Sequence, residues 1–203
     1  QGRLVGSAWG SDILVTPASA GPWRWITQRV LAACELTTSD SQVMAERMRE
    51  LGAGEVMVFP FGLEAMPPVA PAKDPDLVFA NRPLEPLSDP RRVLAAFEAM
   101  RAWRPSMRLV VAHDGSLRVA MEALVAGGPL AGHVQFVGRL DTATQATWYD
   151  RAQGYLSLPR SDSVSVSVLE AMAHGCIPIL SDLPANRELV RDADNGLVLR
   201  DGA

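Results

Sequence analysis

The chain has 203 residues, 48% of them apolar and 21% charged, with a net charge of −4. Such a composition can build a core, so disorder is not the default, and the length allows one large domain or two small ones. The acidic balance excludes the basic stripe of a nucleic-acid binder, and the apolar runs are too short to span a membrane. No secretory leader is read at the start, and the location expected is the cytoplasm. Cys34 and Cys176 lie in or beside apolar segments and read as buried reduced thiols. His113, His133 and His174 are scattered, with no Cys/His spacing for zinc.

In chain order, residues 3–8 (RLVGSA) read as a strand running into a loop at Trp9, Gly10, Ser11 and Asp12. Residues 22–34 read as a helix, with Pro22 at its start and an apolar stripe of Trp25, Ile26, Val30 and Leu31. Residues 36–38 are a short strand. Ser39 or Asp40 is expected to cap the next helix, which runs to about Leu51 and stops at Gly52. Residues 55–60 (EVMVFP) form another strand. This alternation is the rhythm of an open parallel sheet with helical crossovers.

Residues 62–76 (GLEAMPPVAPAKDPD) then hold four prolines and no periodicity. They read as a linker, which divides the chain into a domain over 1–62, a linker over 63–75 and a domain over 76–203. Beyond it the rhythm restarts. Strands are expected at 77–80, 107–112, 134–137, 155–158, 176–180 and 196–199, and helices at 89–103, 116–126, 142–152 and 165–174. That is a doubly wound α/β domain, whose ligands bind at the carboxyl ends of the strands. The loops that matter are therefore 81–85, 113–116, 138–140 and 159–165, which carry Arg82, His113, Asp114, Arg139 and Asp162. There is no G-x-G-x-x-G after a strand, no P-loop and no G-x-S-x-G elbow, which argues against a dehydrogenase, a P-loop enzyme and a serine hydrolase.

The stretch 161–188 concentrates the chemistry. A polar loop (Ser161, Asp162, Ser163) follows a strand and leads into a helix whose first turn has unpartnered N–H groups, the outline of an anion site. Ser163, Ser165 and Ser167 add hydroxyls there. On a helical wheel Glu170 shares a face with Ser167 and His174, while Val166, Leu169, Met172 and Ala173 make the apolar stripe. A carboxylate one turn behind a phosphate-binding helix start can accept from a diol such as a ribose. The plainer reading of the same residues is a serine N-cap and a solvated glutamate.

The run P-x-S-D-S-x-S-V-S-x-L-E-A-M-A-x-G-x-x-P-I-x-S-D at 159–182 resembles the sugar-nucleotide-dependent glycosyltransferases of family 4 (group 1), which have the GT-B fold. The signature is an acid, seven residues and a Glu, here Asp162 and Glu170. Residues 186–190 (NRELV), 195–198 (NGLV), 7–14 (SAWGSDIL) and 38–41 (TSDS) extend the likeness along the chain. The resemblance implies two Rossmann-like domains, the first only partly present. It implies a retaining transfer of a sugar from a UDP- or GDP-type donor to a glycan or lipid-linked acceptor hydroxyl. In that pattern Glu170 binds the ribose, and the N–H groups near Val166 and Ser167, with Ser165, hold the diphosphate. Arg82 pairs with the diphosphate, Gly138 and Arg139 contact the base, and Ser163 and the catalytic Asp162 contact the sugar. No metal or other cofactor is implied, because Arg82 and the helix start neutralise the diphosphate.

Three positions depart from the family pattern. The Lys often found about five residues after the Arg is missing from 82–88 (RPLEPLS), Trp9 stands where many members have His, and Asp162 stands for the usual Glu. The resemblance also makes the chain look truncated at both ends, with an exposed sheet edge that would suit a homodimer through the N-terminal half. Peripheral contact with the inner face of the membrane is a further expectation. One alternative is a non-catalytic or truncated nucleotide-sugar-binding fragment. Another is an epimerase or phosphorylase of the same fold. A phosphorylase needs a lysine for its pyridoxal cofactor, and the only lysine is Lys73, in the linker.

Overall fold

The computed structural model describes residues 3–19, 21–68 and 72–200. Part of the expected linker, residues 69–71, therefore lies outside the described residues. The chain forms two compact units. The first contains the residues up to Gly62 together with Ser161–Val166 and Leu183–Leu189. The second contains Leu63–Arg160, Ser167–Asp182 and the residues from Val190 onward.

In the first unit, β1 (Val5–Ser7), β2 (Leu36–Ser39) and β3 (Glu55–Val58) form a parallel sheet in the order β1-β2-β3. Val5 pairs with Leu36, and Leu36 with Glu55. The crossovers are α1 (Ser11–Leu14), α2 (Trp23–Ala33) and α3 (Gln42–Glu50). Ala8, Ile13, Leu31, Met44, Met48 and Leu51 make the core.

Three local expectations are corrected here. The expected loop at 9–12 turns into α1 at Ser11. Gly10, at φ 118°, makes the bend, its carbonyl accepts from the Leu14 N–H at 2.8 Å, and the Asp12 carboxylate accepts from the Trp9 N–H at 3.2 Å. The cap of α3 is neither Ser39 nor Asp40 but Ser41, whose Oγ accepts from the Met44 N–H at 3.2 Å. Ser39 instead donates its hydroxyl to the Ser41 carbonyl at 2.8 Å. The stripe on α2 is mostly outside the core. Leu31 is buried, but Trp25 is 60% and Val30 55% exposed, because only one residue of the stripe reaches the core cluster.

In the second unit, β4 (Asp74–Ala80), β5 (Arg108–Ala112), β6 (Val134–Gly138), β7 (Ala152–Ser157), β8 (Ile177–Ser181) and β9 (Leu197–Leu199) form one parallel sheet. Its order is β6-β5-β4-β7-β8-β9. The chain runs outward from β4 to β6, then returns to place β7 on the other side of β4. That is the doubly wound order with its switch point between β4 and β7, where such sheets take their ligands. The crossovers are α4 (Pro90–Trp103), α5 (Arg118–Ala126), α6 (Thr142–Arg151) and α7 (Val166–Ala173), followed by α8 (Pro184–Leu189).

The sequence chemistry explains the element ends. Asp89 caps α4 with Pro90 at its first position, and the Asp141 carboxylate caps α6 by accepting from the Thr144 N–H at 2.7 Å. The expected face of α4 is buried through Val93, Leu94 and Phe97, which pack with Val78, Leu109, Val111 and Leu156. α7 differs from the helical-wheel expectation. Its buried residues are Val168 and Ala171, and Val166 is 39% exposed. The segment VSVLEAMA is apolar almost all round, so tertiary packing rather than the wheel selects its buried face.

Candidate functional site

Glu170 lines a cleft of about 510 Å³ in the second unit, together with Glu64, Thr142, Gln145, Tyr149 and His174. α6 presents Gln145 and Tyr149 one turn apart on one face. Both donate to Glu170 Oε2, from Gln145 Nε2 at 3.1 Å and from the Tyr149 hydroxyl at 3.1 Å. Behind them the Tyr155 hydroxyl donates to Asn81 Oδ1 at 2.5 Å, and Asn81 Nδ2 donates to the Tyr149 hydroxyl at 2.8 Å. Burial, followed by the neighbouring Tyr155 and Glu170, pushes the Tyr149 phenol far above its ordinary range, so it stays a proton donor. One oxygen of Glu170 is thus fixed by two donors. The other, Oε1, takes no hydrogen bond from the described residues. A carboxylate oriented through one oxygen can accept from a ligand through the other.

His174 closes the same face of α7. Its ring lies 5.5 Å from that of Tyr149, and its Nδ1 is 2.7 Å from Asp150 Oδ1. The sole lysine, Lys73, donates from Nζ to the Tyr149 carbonyl at 2.6 Å and to the His174 carbonyl at 2.6 Å. Its ammonium is committed to helix C-terminal carbonyls, where the dipole favours a cation.

The other expected loops lie at the carboxyl ends of their strands. Arg82 lies just beyond β4, Gly138 ends β6 and Arg139 directly follows it. Gly138 has φ 73°, and a Cβ there would stand 3.2 Å from Arg118 Nη1. Arg118 is held by Glu122 at 2.8 Å and Asp114 at 3.7 Å. At the neighbouring strand end the Glu85 carboxylate accepts from the Ser116 N–H at 2.8 Å and from its hydroxyl at 2.5 Å. Those two bonds lower the Glu85 pKa.

The remaining expected site residues, Asp162, Ser163, Ser165 and Val166, fall in the first unit. Asp162 is half-buried, and its Oδ1 accepts from the Ser163 N–H at 3.1 Å. Ser163 is 1% exposed. Its hydroxyl donates to Asp40 Oδ1 and lies 2.8 Å from Ser41 Oγ. Ser165 is buried as well. The structure therefore groups Arg82, Gly138, Arg139, Ser167 and Glu170 in the second unit and the acid-and-serine loop in the first.

A model of the family described as "Glycosyl transferases group 1" matches residues 64–203. The chain belongs to the group 1 glycosyl transferases. It is similar to a phosphatidyl-myo-inositol mannosyltransferase of Mycolicibacterium smegmatis, 31% identical over 128 residues, which are 62% of this chain and 32% of the relative. The chain thus spans about a third of the length of the curated relatives it matches. In fold it is similar to the pneumococcal O-GlcNAc transferase GtfA, solved in complex with UDP and GlcNAc. The TM-score is 0.84 at 13% identity, over 99% of this chain and 42% of that one. It is similar also to HepE of Anabaena, solved with UDP and glucose, with a TM-score of 0.79 at 14% identity over 98% of this chain and 58% of that one. These likenesses agree with the α/β architecture and its parallel sheets.

In this group 1 chain Glu170 is the expected ribose ligand, and the groups that hold its carboxylate were not among the expected site residues. Gln145 and Tyr149 carry a signal in their i, i+4 spacing on α6, next to an N-cap aspartate. That spacing alone does not say that α6 faces α7. Asn81 directly follows β4 and directly precedes Arg82, a position open to the same strand-end argument. Asp40, one of the two residues expected to cap α3, accepts from Ser163 and Val164, more than a hundred residues away in the chain.

Proposed function

We propose that this chain carries the donor-binding part of a retaining glycosyltransferase, which moves a sugar from a nucleotide diphosphate to an acceptor hydroxyl. The observation that supports this most is Glu170. Its carboxylate stands in a cleft with one oxygen fixed by Gln145 and Tyr149, and the other is left to accept from the two hydroxyls of a ribose. Family membership supports sugar transfer, and the UDP in the GtfA and HepE complexes supports a nucleotide donor.

On this reading Arg82, with the N–H groups at the start of α7 near Val166 and Ser167 and the Ser165 turn before them, balances the charge on the diphosphate. Charge builds up on the leaving group as the sugar departs, so preorganised donors there lower the barrier. Gly138 and Arg139 stand by the base. Asp162 keeps the role that the resemblance gives it, next to the sugar, with Ser163 holding the loop. Retention requires the acceptor hydroxyl to approach from the face that the diphosphate leaves. The name of the mycobacterial relative supports a lipid-linked acceptor, and with it a peripheral contact with the membrane. Among the described residues no helix is long and apolar enough to cross one. No metal or other cofactor is needed on this reading.

A nucleotide-sugar-binding module that transfers nothing is the second reading, favoured by Trp9, which stands where many members have His and packs on Phe61 at 5.2 Å. A thermal-shift screen with UDP, GDP, ADP and their sugar conjugates tests the shared premise. A ligand that binds only the folded state raises the melting temperature, and at equal concentration the tighter ligand raises it more. The proposal expects one base to stand out, and no shift with any nucleotide diphosphate would contradict it. A transfer assay with the selected donor then separates enzyme from module.

A further inference from the structure

Asp40 is a carboxylate only 4% exposed, at the start of α3, that does nothing for α3. The N–H groups of the first turn are already satisfied. Ser41 Oγ accepts from Met44, and the Glu188 carboxylate accepts from Gln42 and Val43 at 3.0 and 3.0 Å. Asp40 instead accepts from two groups of the Ser161–Val166 loop, the Ser163 hydroxyl and the Val164 N–H, the latter at 3.1 Å. An ionised carboxylate only accepts, and that fixes the direction of the bond from Ser163. The Ser163 hydroxyl donates to Asp40, and its oxygen lies 2.8 Å from Ser41 Oγ. Ser163 has no proton left for a ligand.

Burial raises the Asp40 pKa, while the bonds from Ser163 and Val164 pull it the other way. A carboxylate desolvated at this position opposes folding unless it is paired. All the bonds it accepts come from its own turn or from the loop that opens α7. We propose that Asp40 is a positioning residue that fixes residues 163 and 164, and so sets the geometry in which the start of α7 receives the diphosphate and sugar of the donor. This inference rests on the donor-binding reading. Asp40 touches no ligand in it. It acts by removing alternative conformations of the loop before binding, so that less ordering is left for the ligand to impose.

The test uses the whole chain and its Asp40→Asn and Ser163→Ala variants. The first readout needs no ligand: hydrogen exchange of the amides in 161–166. Both variants should exchange faster there and unchanged in β4 and β5, and an unaltered loop in both would overturn the inference. The second readout is calorimetric affinity for UMP and GMP against UDP-glucose and GDP-mannose. Asp40→Asn should leave the monophosphate affinity unchanged and weaken the sugar nucleotide about tenfold or more, the scale of a lost charge-assisted hydrogen bond. The double variant should lose no more than the worse single one, since both break one network. Equal losses for monophosphate and sugar nucleotide, or additive losses in the double variant, would overturn the positioning role. If the unsubstituted chain binds none of these nucleotides, the donor-binding reading fails by itself, and loop exchange still decides whether Asp40 fixes the loop.

Discussion

Glu170 gains its directionality from its partners. Its Oε2 is held by Tyr149 and Gln145, and Tyr149 in turn is held by Asn81. Tyr149→Phe removes one donor to Glu170 and leaves the buried Asn81 amide without its acceptor. Leaving a buried polar group unsatisfied costs about 1–3 kcal/mol. The variant should therefore unfold at lower urea concentration, and also bind nucleotide more weakly because Glu170 is freer to turn. Unchanged stability would mean that this network carries no weight. At this scale the sequence was half legible. The offset from Asp162 to Glu170 singled out the carboxylate as a candidate. Its partners were not legible, because Gln145 and Tyr149 come from another helix and meet it only in the folded chain.

Helix ends and strand ends behave as element-scale properties. The Asp141 carboxylate caps α6, the helix that supplies Gln145 and Tyr149, and its pKa is lowered by the Thr144 backbone bond first and the Thr144 side chain second. A carboxylate whose folded pKa lies below its unfolded value stabilises the fold above the ordinary carboxylate range, and that contribution is lost as pH falls through the lowered folded value. Asp141→Asn keeps a capping oxygen but cannot titrate. Its urea midpoint should lie below that of the parent near neutral pH and converge on it in acid, whereas a gap independent of pH would contradict the assignment.

Gly115 tests the packing of two strand-end loops. A Cβ there would overlap the Leu84 carbonyl, so Gly115→Ala must move backbone. Overpacking of this kind costs about 1–3 kcal/mol, and a melting temperature equal to the parent's would refute the close approach. The elements themselves were largely legible from periodicity and caps, as in α4, where Asp89, Pro90 and the buried Val93, Leu94 and Phe97 agree with the pattern. The faces of α2 and α7 were not. The apolar residues of α7 run around the helix, and in α2 only Leu31 of the expected stripe is buried, so the choice of which to bury belongs to the neighbours.

At the scale of the whole molecule, alternating strands and helices announced parallel sheets, but the order β6-β5-β4-β7-β8-β9 follows only from the pairing. That order puts the switch point beside Arg82 and the loop after β7, the part of a doubly wound sheet where a ligand is expected. The allocation of Ser161–Val166 and Leu183–Leu189 to the first unit was also invisible in the sequence. Within that unit the Asp40 and Glu188 carboxylates accept from groups more than a hundred residues away in the chain. The cleft beside Glu170 is proposed to bind the ribose of a nucleotide-sugar donor. Calorimetric titration of UDP and GDP into the chain and into Glu170→Ala tests it most directly. The expected result is saturable binding of one of them by the parent, and a loss of about tenfold or more in the variant, the scale of a charge-assisted hydrogen bond. An affinity unchanged by the substitution, or no binding of either nucleotide by the parent, would contradict it.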